Sequence, residues 1–235
     1  MHNSTIKLKK GPSKVGLFLC LGIIVVFIIP VVLSANSEHY EPEIVMSRIP
    51  QNKKTWKYQQ FQPSEIKDFQ LAGIEIGNTY LLNKNKLIVG KKYPSDGESG
   101  EEFGERLFWL NERDEVEFTY NTSSDFYLYQ PCFFKRQKSS KVIVVCQMGF
   151  EYYCGGDAYI IENGKINYIG YLNIEGDNPE RPLVDELIIV EKEDRLTFSL
   201  RCDSLILDPG GETEHIVGNG AYYEYHNGDL VLRED

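Results

Sequence analysis

Cys154-Gly155-Gly156-Asp157, with Phe150, Tyr152 and Tyr153 just before it, is the most constrained local feature of the chain. Paired glycines between strand-like runs permit a tight turn, a bulge or the close approach of another backbone. Tyr152, Tyr153 and Asp157 form a candidate binding platform, in which the rings stack on a sugar or peptide and Asp157 accepts its hydrogen bonds. The simpler reading is a kinked strand connection whose aromatics enter the core, as tyrosine-rich β-domains favour.

Two acidic loops are the candidates for a hard cation. In Asp96–Glu105 (DGESGEEFGE) the glycines let Asp96, Glu98 and Glu101 converge on Ca²⁺, although the spacing departs from the EF-hand pattern of ligands at alternate positions. In Glu175–Glu186 (EGDNPERPLVDE), Glu175, Asp177, Glu180 and Asp185 are stiffened by two prolines. A solvated acidic loop is the commoner use of either run. His39, His215 and His226 are isolated in sequence, which favours surface roles.

Cys132, Cys146, Cys154 and Cys202 follow the N-terminal apolar run. In an oxidising compartment an even number suggests disulfides, with three full pairings open. A hairpin over the polar turn Lys135–Lys141 would make Cys132 and Cys146 neighbours and leave Cys154 for Cys202. Buried free thiols are the equal alternative. No Cys-x-x-Cys pair is present to favour zinc. Gly-x-Ser-x-Gly, His-Glu-x-x-His, phosphate-loop and dinucleotide-binding patterns are absent as well, so no cofactor is implied. Asn121-Thr122-Ser123 fits an N-glycosylation acceptor, meaningful only in a eukaryotic secretory setting.

From Leu71 onward, short apolar runs recur between turn residues about ten residues apart, and no long stretch has a helical period. The predicted class is all-β: an antiparallel sandwich or open barrel, with propeller-like sheets as the alternative. Asn163-Gly164 and Asn227-Gly228 suit two-residue type I′ turns. The first sets Glu162 opposite Lys165, Ile161 opposite Ile166 and Tyr159 opposite Tyr168. The second sets Tyr225 opposite Leu230 and Tyr223 opposite Leu232. Arg195–Asp203 alternates, with Leu196, Phe198, Leu200 and Cys202 on the buried face.

Val15–Leu33 is an uncharged run of nineteen residues, long enough as a helix of roughly 28 Å to span a bilayer. Lys7, Lys9, Lys10 and Lys14 precede it and Glu38, Glu41 and Glu43 follow, which places the N-terminus in the cytoplasm. The expected organisation is a basic cytoplasmic tail (1–14), a transmembrane signal-anchor (15–33), a stalk (34–70) with a short helix at Ser64–Phe69, and a periplasmic or extracellular β-domain (71–235). A cleaved signal peptide, and thus a secreted domain, is the alternative; the length of the run favours the anchor. Trp56 in the stalk is expected to cap the core.

Four of the 25 basic residues precede the run and all 35 acidic residues follow it, leaving 21 basic against 35 acidic residues beyond, a formal net charge of −14. Such a surface excludes nucleic acid as a natural partner. The function expected is non-catalytic binding or structural support in the cell envelope, with an envelope protein or polymer as partner. The alternatives are an envelope glycan hydrolase using carboxylates from distant strands, and a Ca²⁺- or ligand-binding domain.

Overall fold

The computed structural model describes residues 54–92, 105–122, 126–178 and 180–234. All belong to one unit of the chain, Arg48–Asp235. The apolar run Val15–Leu33 and the trio Asp96, Glu98 and Glu101 lie outside the described residues. Among those described, no helix is long and apolar enough to cross a membrane.

Throughout the described residues the protein is all-β, in antiparallel sheets. Three short strands come first: β1 (Thr55–Lys57), β2 (Gln59–Phe61) and β3 (Ser64–Glu65). A meander follows of β4 (Ile74–Leu82), β5 (Asn85–Lys92), β6 (Glu105–Leu110) and β7 (Val116–Asn121). The second meander is β8 (Leu128–Lys135), β9 (Val142–Gly149), β10 (Tyr153–Glu162) and β11 (Lys165–Leu172). The chain then passes through β12 (Ile174–Gly176) and a single helical turn, α1 (Leu183–Glu186), into β13 (Leu187–Lys192) and β14 (Arg195–Leu200). After β15 (Ser204–Leu207) and β16 (His215–Gly218), β17 (Tyr222–His226) and β18 (Asp229–Arg233) complete a third meander beside β14. β12, β15 and β16 form a separate three-stranded sheet.

The three opening strands act as a strap. β1 pairs with β13, β2 with β8 and β3 with β4, so each adds a fifth strand beside the first strand of a different meander. Residues 55–65, expected as stalk, are therefore part of the sheets, and the short helix expected at Ser64–Phe69 is replaced by β3 and a bend with Asp68 at φ +60°. Trp56 does not cap the core; it is 40 % exposed, with the Arg136 guanidinium 5.0 Å from its ring centre.

The second meander is the central layer. Along β9, Ile143 and Val145 pack towards the β13–β14–β17 sheet and β15, while Val144, Cys146 and Met148 pack towards β4–β6. Burial on both faces explains why Val142–Gln147 reads as a continuous apolar run with no alternation. β14 has one wet face and alternates as expected, with Leu196, Phe198 and Leu200 buried. Both Asn-Gly hairpins take the expected registers, with each asparagine and glycine at positive φ. Some expected strands merge: Leu128 and Tyr129, the end of the expected Phe126–Tyr129 strand, run on through Pro131 into Cys132–Lys135 as β8. Proline is tolerated there because β2 reaches only Phe133–Lys135, leaving an open edge at Pro131.

The expected disulfides do not form; all four cysteines are free. Cys132 pairs with Val145, and Cys146 with Pro131. This offset of one residue turns the two thiols to opposite faces of the sheet. Cys154 and Cys202 likewise pack into different cores.

Candidate functional site

The Gly-Gly break is a bulge, where the β9–β10 register shifts between Tyr153 and Gly156. Gly155 sits at φ +90°, and a Cβ there would collide with the Leu172 carbonyl oxygen. At Gly156 a Cβ would stand 2.9 Å from Val145 Cγ1 and 3.0 Å from the Cys146 carbonyl oxygen. Both positions thus require glycine, one for its conformation and both for close approach. Buried side chains take up the polar groups freed by the bulge. The Gly155 N–H donates to Glu175 Oε1 at 2.7 Å, and Gln147 Nε2 donates to the same oxygen at 3.0 Å and to the Gly155 carbonyl at 3.1 Å. Burial pushes the Glu175 carboxyl up to about 7 against the pull of these hydrogen bonds.

One residue past the bulge, Asp157 points into the layer between the second and first meanders, where it is 3 % exposed. Its contacts there are phenolic. Tyr168 Oη donates to Oδ1 at 3.1 Å and Tyr129 Oη donates to Oδ2 at 3.1 Å, while the Tyr120 ring stacks on Tyr168 beside them. The Tyr129 and Tyr159 hydroxyls lie 2.7 Å apart behind them. Burial pushes Asp157 up to about 6, and the tyrosine hydrogen bonds hold it back from rising further. No lysine, arginine or histidine among the described residues makes an ion pair with it.

A cavity of about 340 Å³ opens over this cluster. Its walls are Tyr120, Phe126, Phe150, Tyr168 and Tyr171, with Asp157 at the base and the loop Asp208–Gly211 along the rim. The rings are mutually braced: Tyr120 stacks on Tyr168 with centroids 4.5 Å apart, and Phe126 lies 4.7 Å from Phe150. Asn173 anchors the rim, donating from Nδ2 to Asp208 Oδ1 at 3.0 Å. Hydrogen bonds from Thr213 and Asn173 hold the Asp208 carboxyl below the usual aspartate value. No described lining residue is basic.

Asp157, Tyr152 and Tyr153 do not converge on one platform. Tyr152 and Tyr153 border two neighbouring cavities, one with Glu175, Gly176 and Asp177 and the other with Glu151 and Glu180. Tyr152 also packs against Gly210, so its ring abuts the rim of the Asp157 cavity from outside. Of the second acidic loop, Glu175 is buried under the bulge and Asp177 accepts a hydrogen bond from Ser204 Oγ at 2.7 Å. Among the described residues, no group of three or more His, Cys, Asp or Glu side chains is placed to hold a metal ion.

Sequence reasoning missed Tyr120, Tyr129, Tyr168, Tyr171 and Asp208 as site residues. One signal was available for Tyr168: it faces Tyr159 in the predicted hairpin, and Asp157 lies two residues from Tyr159 on the same face. Comparison with known proteins finds no matching family model, no matching curated protein and no matching solved structure.

Proposed function

We propose that this chain is a non-catalytic binding domain of the cell envelope, anchored through Val15–Leu33, with the cavity over Asp157 as its ligand seat and an envelope polymer or protein as the bearer of the ligand. The observation that carries this reading is a concave site walled by five aromatic rings with a buried carboxylate at its base. Aromatic walls give contact area at small entropic cost, and the hydroxyl network fixes the rings in advance of binding. In architecture we read the stacked meanders as a layered sandwich.

A second reading is favoured by one observation. Asp157 and Asp208 line the same cavity with their ionisation pushed in opposite directions, which suits an acid and a base in glycan hydrolysis. Against it, two tyrosine hydroxyls already engage the Asp157 carboxylate, one on each oxygen, so a proton there is poorly presented to a leaving group. Incubating the full chain with purified envelope polymers separates the two. Saturable binding without release of new chain ends, weakened by Phe150→Ala, supports the binding domain. Chain-end release abolished by Asp208→Asn would replace it with the hydrolase.

A further inference from the structure

We propose that the group entering the cavity over Asp157 is a quaternary ammonium. This rests on the reading of that cavity as the ligand seat and names the chemistry it accepts.

Charge comes first. The titratable side chains lining the cavity are Asp157 on β10, Asp208 on the rim, Tyr120 on β7, Tyr168 and Tyr171 on β11, and Cys154 at the bulge. Both carboxylates favour a cation, and no described lining residue is basic to attract a phosphate or carboxylate ligand. The walls point the same way. Ring faces attract cations through their quadrupole, and a cage of aromatic rings is the arrangement that binds alkylated ammonium groups. Five aromatic residues line this cavity, and its volume of about 340 Å³ admits such a head group with part of its bearer.

Hydrogen bonding decides between cations, and between a cation and a sugar. A carboxylate offers about four lone-pair sites. At Asp157 the hydroxyls of Tyr168 and Tyr129 already donate, one to each oxygen. At Asp208, Thr213 Oγ1 donates to Oδ2 and Asn173 Nδ2 donates to Oδ1. A primary ammonium or a polyol would bring several donors to oxygens that each already hold one hydrogen bond, and would leave some donors unsatisfied on desolvation. A quaternary ammonium has no N–H. It draws on the field of the carboxylates and on the aromatic walls, and needs no lone pair from either. Phe126 and Phe150 have no hydroxyl at all, so they offer such a ligand apolar surface and the ring quadrupole alone.

The test is an NMR or calorimetric titration of the full chain with choline, 3,3-dimethyl-1-butanol (its neutral carbon isostere), ammonium chloride and glucose. Choline is expected to bind saturably and shift the ring signals of Tyr120, Tyr168 and Phe150, with the isostere at least tenfold weaker and ammonium and glucose silent. Asp157→Asn should weaken choline at least tenfold. Should that variant fail to fold, Phe150→Ala on the surface should weaken choline several-fold. Phosphocholine serves as a further arm: equal binding assigns the ligand to a phospholipid-type head group, and weaker binding assigns it to a cation free of phosphate. The isostere binding as well as choline, or glucose shifting the same rings while choline does not, would overturn the quaternary ammonium and leave the cavity as a ligand seat. No shift of the cavity rings with any of the four probes overturns the quaternary ammonium as well, and the polymer-binding experiment then judges the seat by itself.

Discussion

Two buried carboxylates in this protein are treated in opposite ways. Glu191 on β13 lies at the seam where the strap crosses between sheets. There Lys141 Nζ is 2.7 Å from one oxygen and Arg136 Nη1 is 3.0 Å from the other, while Tyr58 Oη donates to Oε2 at 2.8 Å. Burial opposes its charge, but these partners hold Glu191 below the usual glutamate value. Asp157 is buried more deeply and has only phenols, so burial prevails and its carboxyl rises. The difference is a matter of assignment. The carboxylate that ties strands together is given its cations by the fold, whereas Asp157, at the base of a cavity, has no cation among the described residues.

The largest effect should follow from breaking the compensated member. Glu191→Ala strands Arg136 and Lys141 beside a seam they were ordered to fill, at an expected loss of about 3–4 kcal/mol. Chemical denaturation measures it; a loss below about 1 kcal/mol would mean the seam is ordinary surface. Gly155→Ala comes next, with an expected loss of about 3 kcal/mol from the positive φ and the clash with Leu172. Its cavity should also be lost to any ligand, because the bulge sets the position of Asp157.

Asp157 and Glu175 predict a particular pH dependence. Their folded-state values are raised to about 6 and about 7, above those of the unfolded chain, so the folded protein holds more protons in the interval between. Stability should therefore fall as the pH rises from about 4 to about 8, by about 3 kcal/mol per group, and level off above. Glu191 has the opposite sign: its contribution is complete above the unfolded glutamate value and is lost as the pH falls through its depressed one. Denaturation midpoints across this range should show a maximum on the acid side, and Asp157→Asn should roughly halve the neutral limb, Glu175 retaining its share, without touching the acid one. At pH 7 that substitution should itself change stability by less than about 1 kcal/mol, the smallest effect of the set, because it removes a charge that burial disfavours and keeps an acceptor for Tyr168.

Much of the second meander and the last hairpin of the third were legible from sequence because their information is local. Asn163-Gly164 and Asn227-Gly228 determine their turns, and each turn determines every pairing behind it. The glycine pair at 155–156 was legible as a constrained break for the same reason, with a bulge as one of three readings. The cysteine pairing was not, since a hairpin over a longer turn leaves its register open by one residue and that residue decides the face. The strap strands were invisible as well. At two or three residues each they are too short to show a period, and they join the sheets by backbone hydrogen bonds that any sequence can make. The candidate site divides along the same line. Asp157 could be singled out beside its glycines, but Tyr120 and Asp208 arrive from a different meander and a distant loop, and only the packing of layers brings them to it.

The central claim is that Asp157 is an ionisable carboxylate kept without a cation. The most direct measurement is the ¹³C chemical shift of its carboxyl carbon in the full chain, followed against pH with and without tetramethylammonium. A midpoint near 6 is expected in the free protein, moving lower when the cation is present, because bound positive charge favours the ionised form. A midpoint at the ordinary aspartate value, or one that stays put at saturating tetramethylammonium, would contradict it.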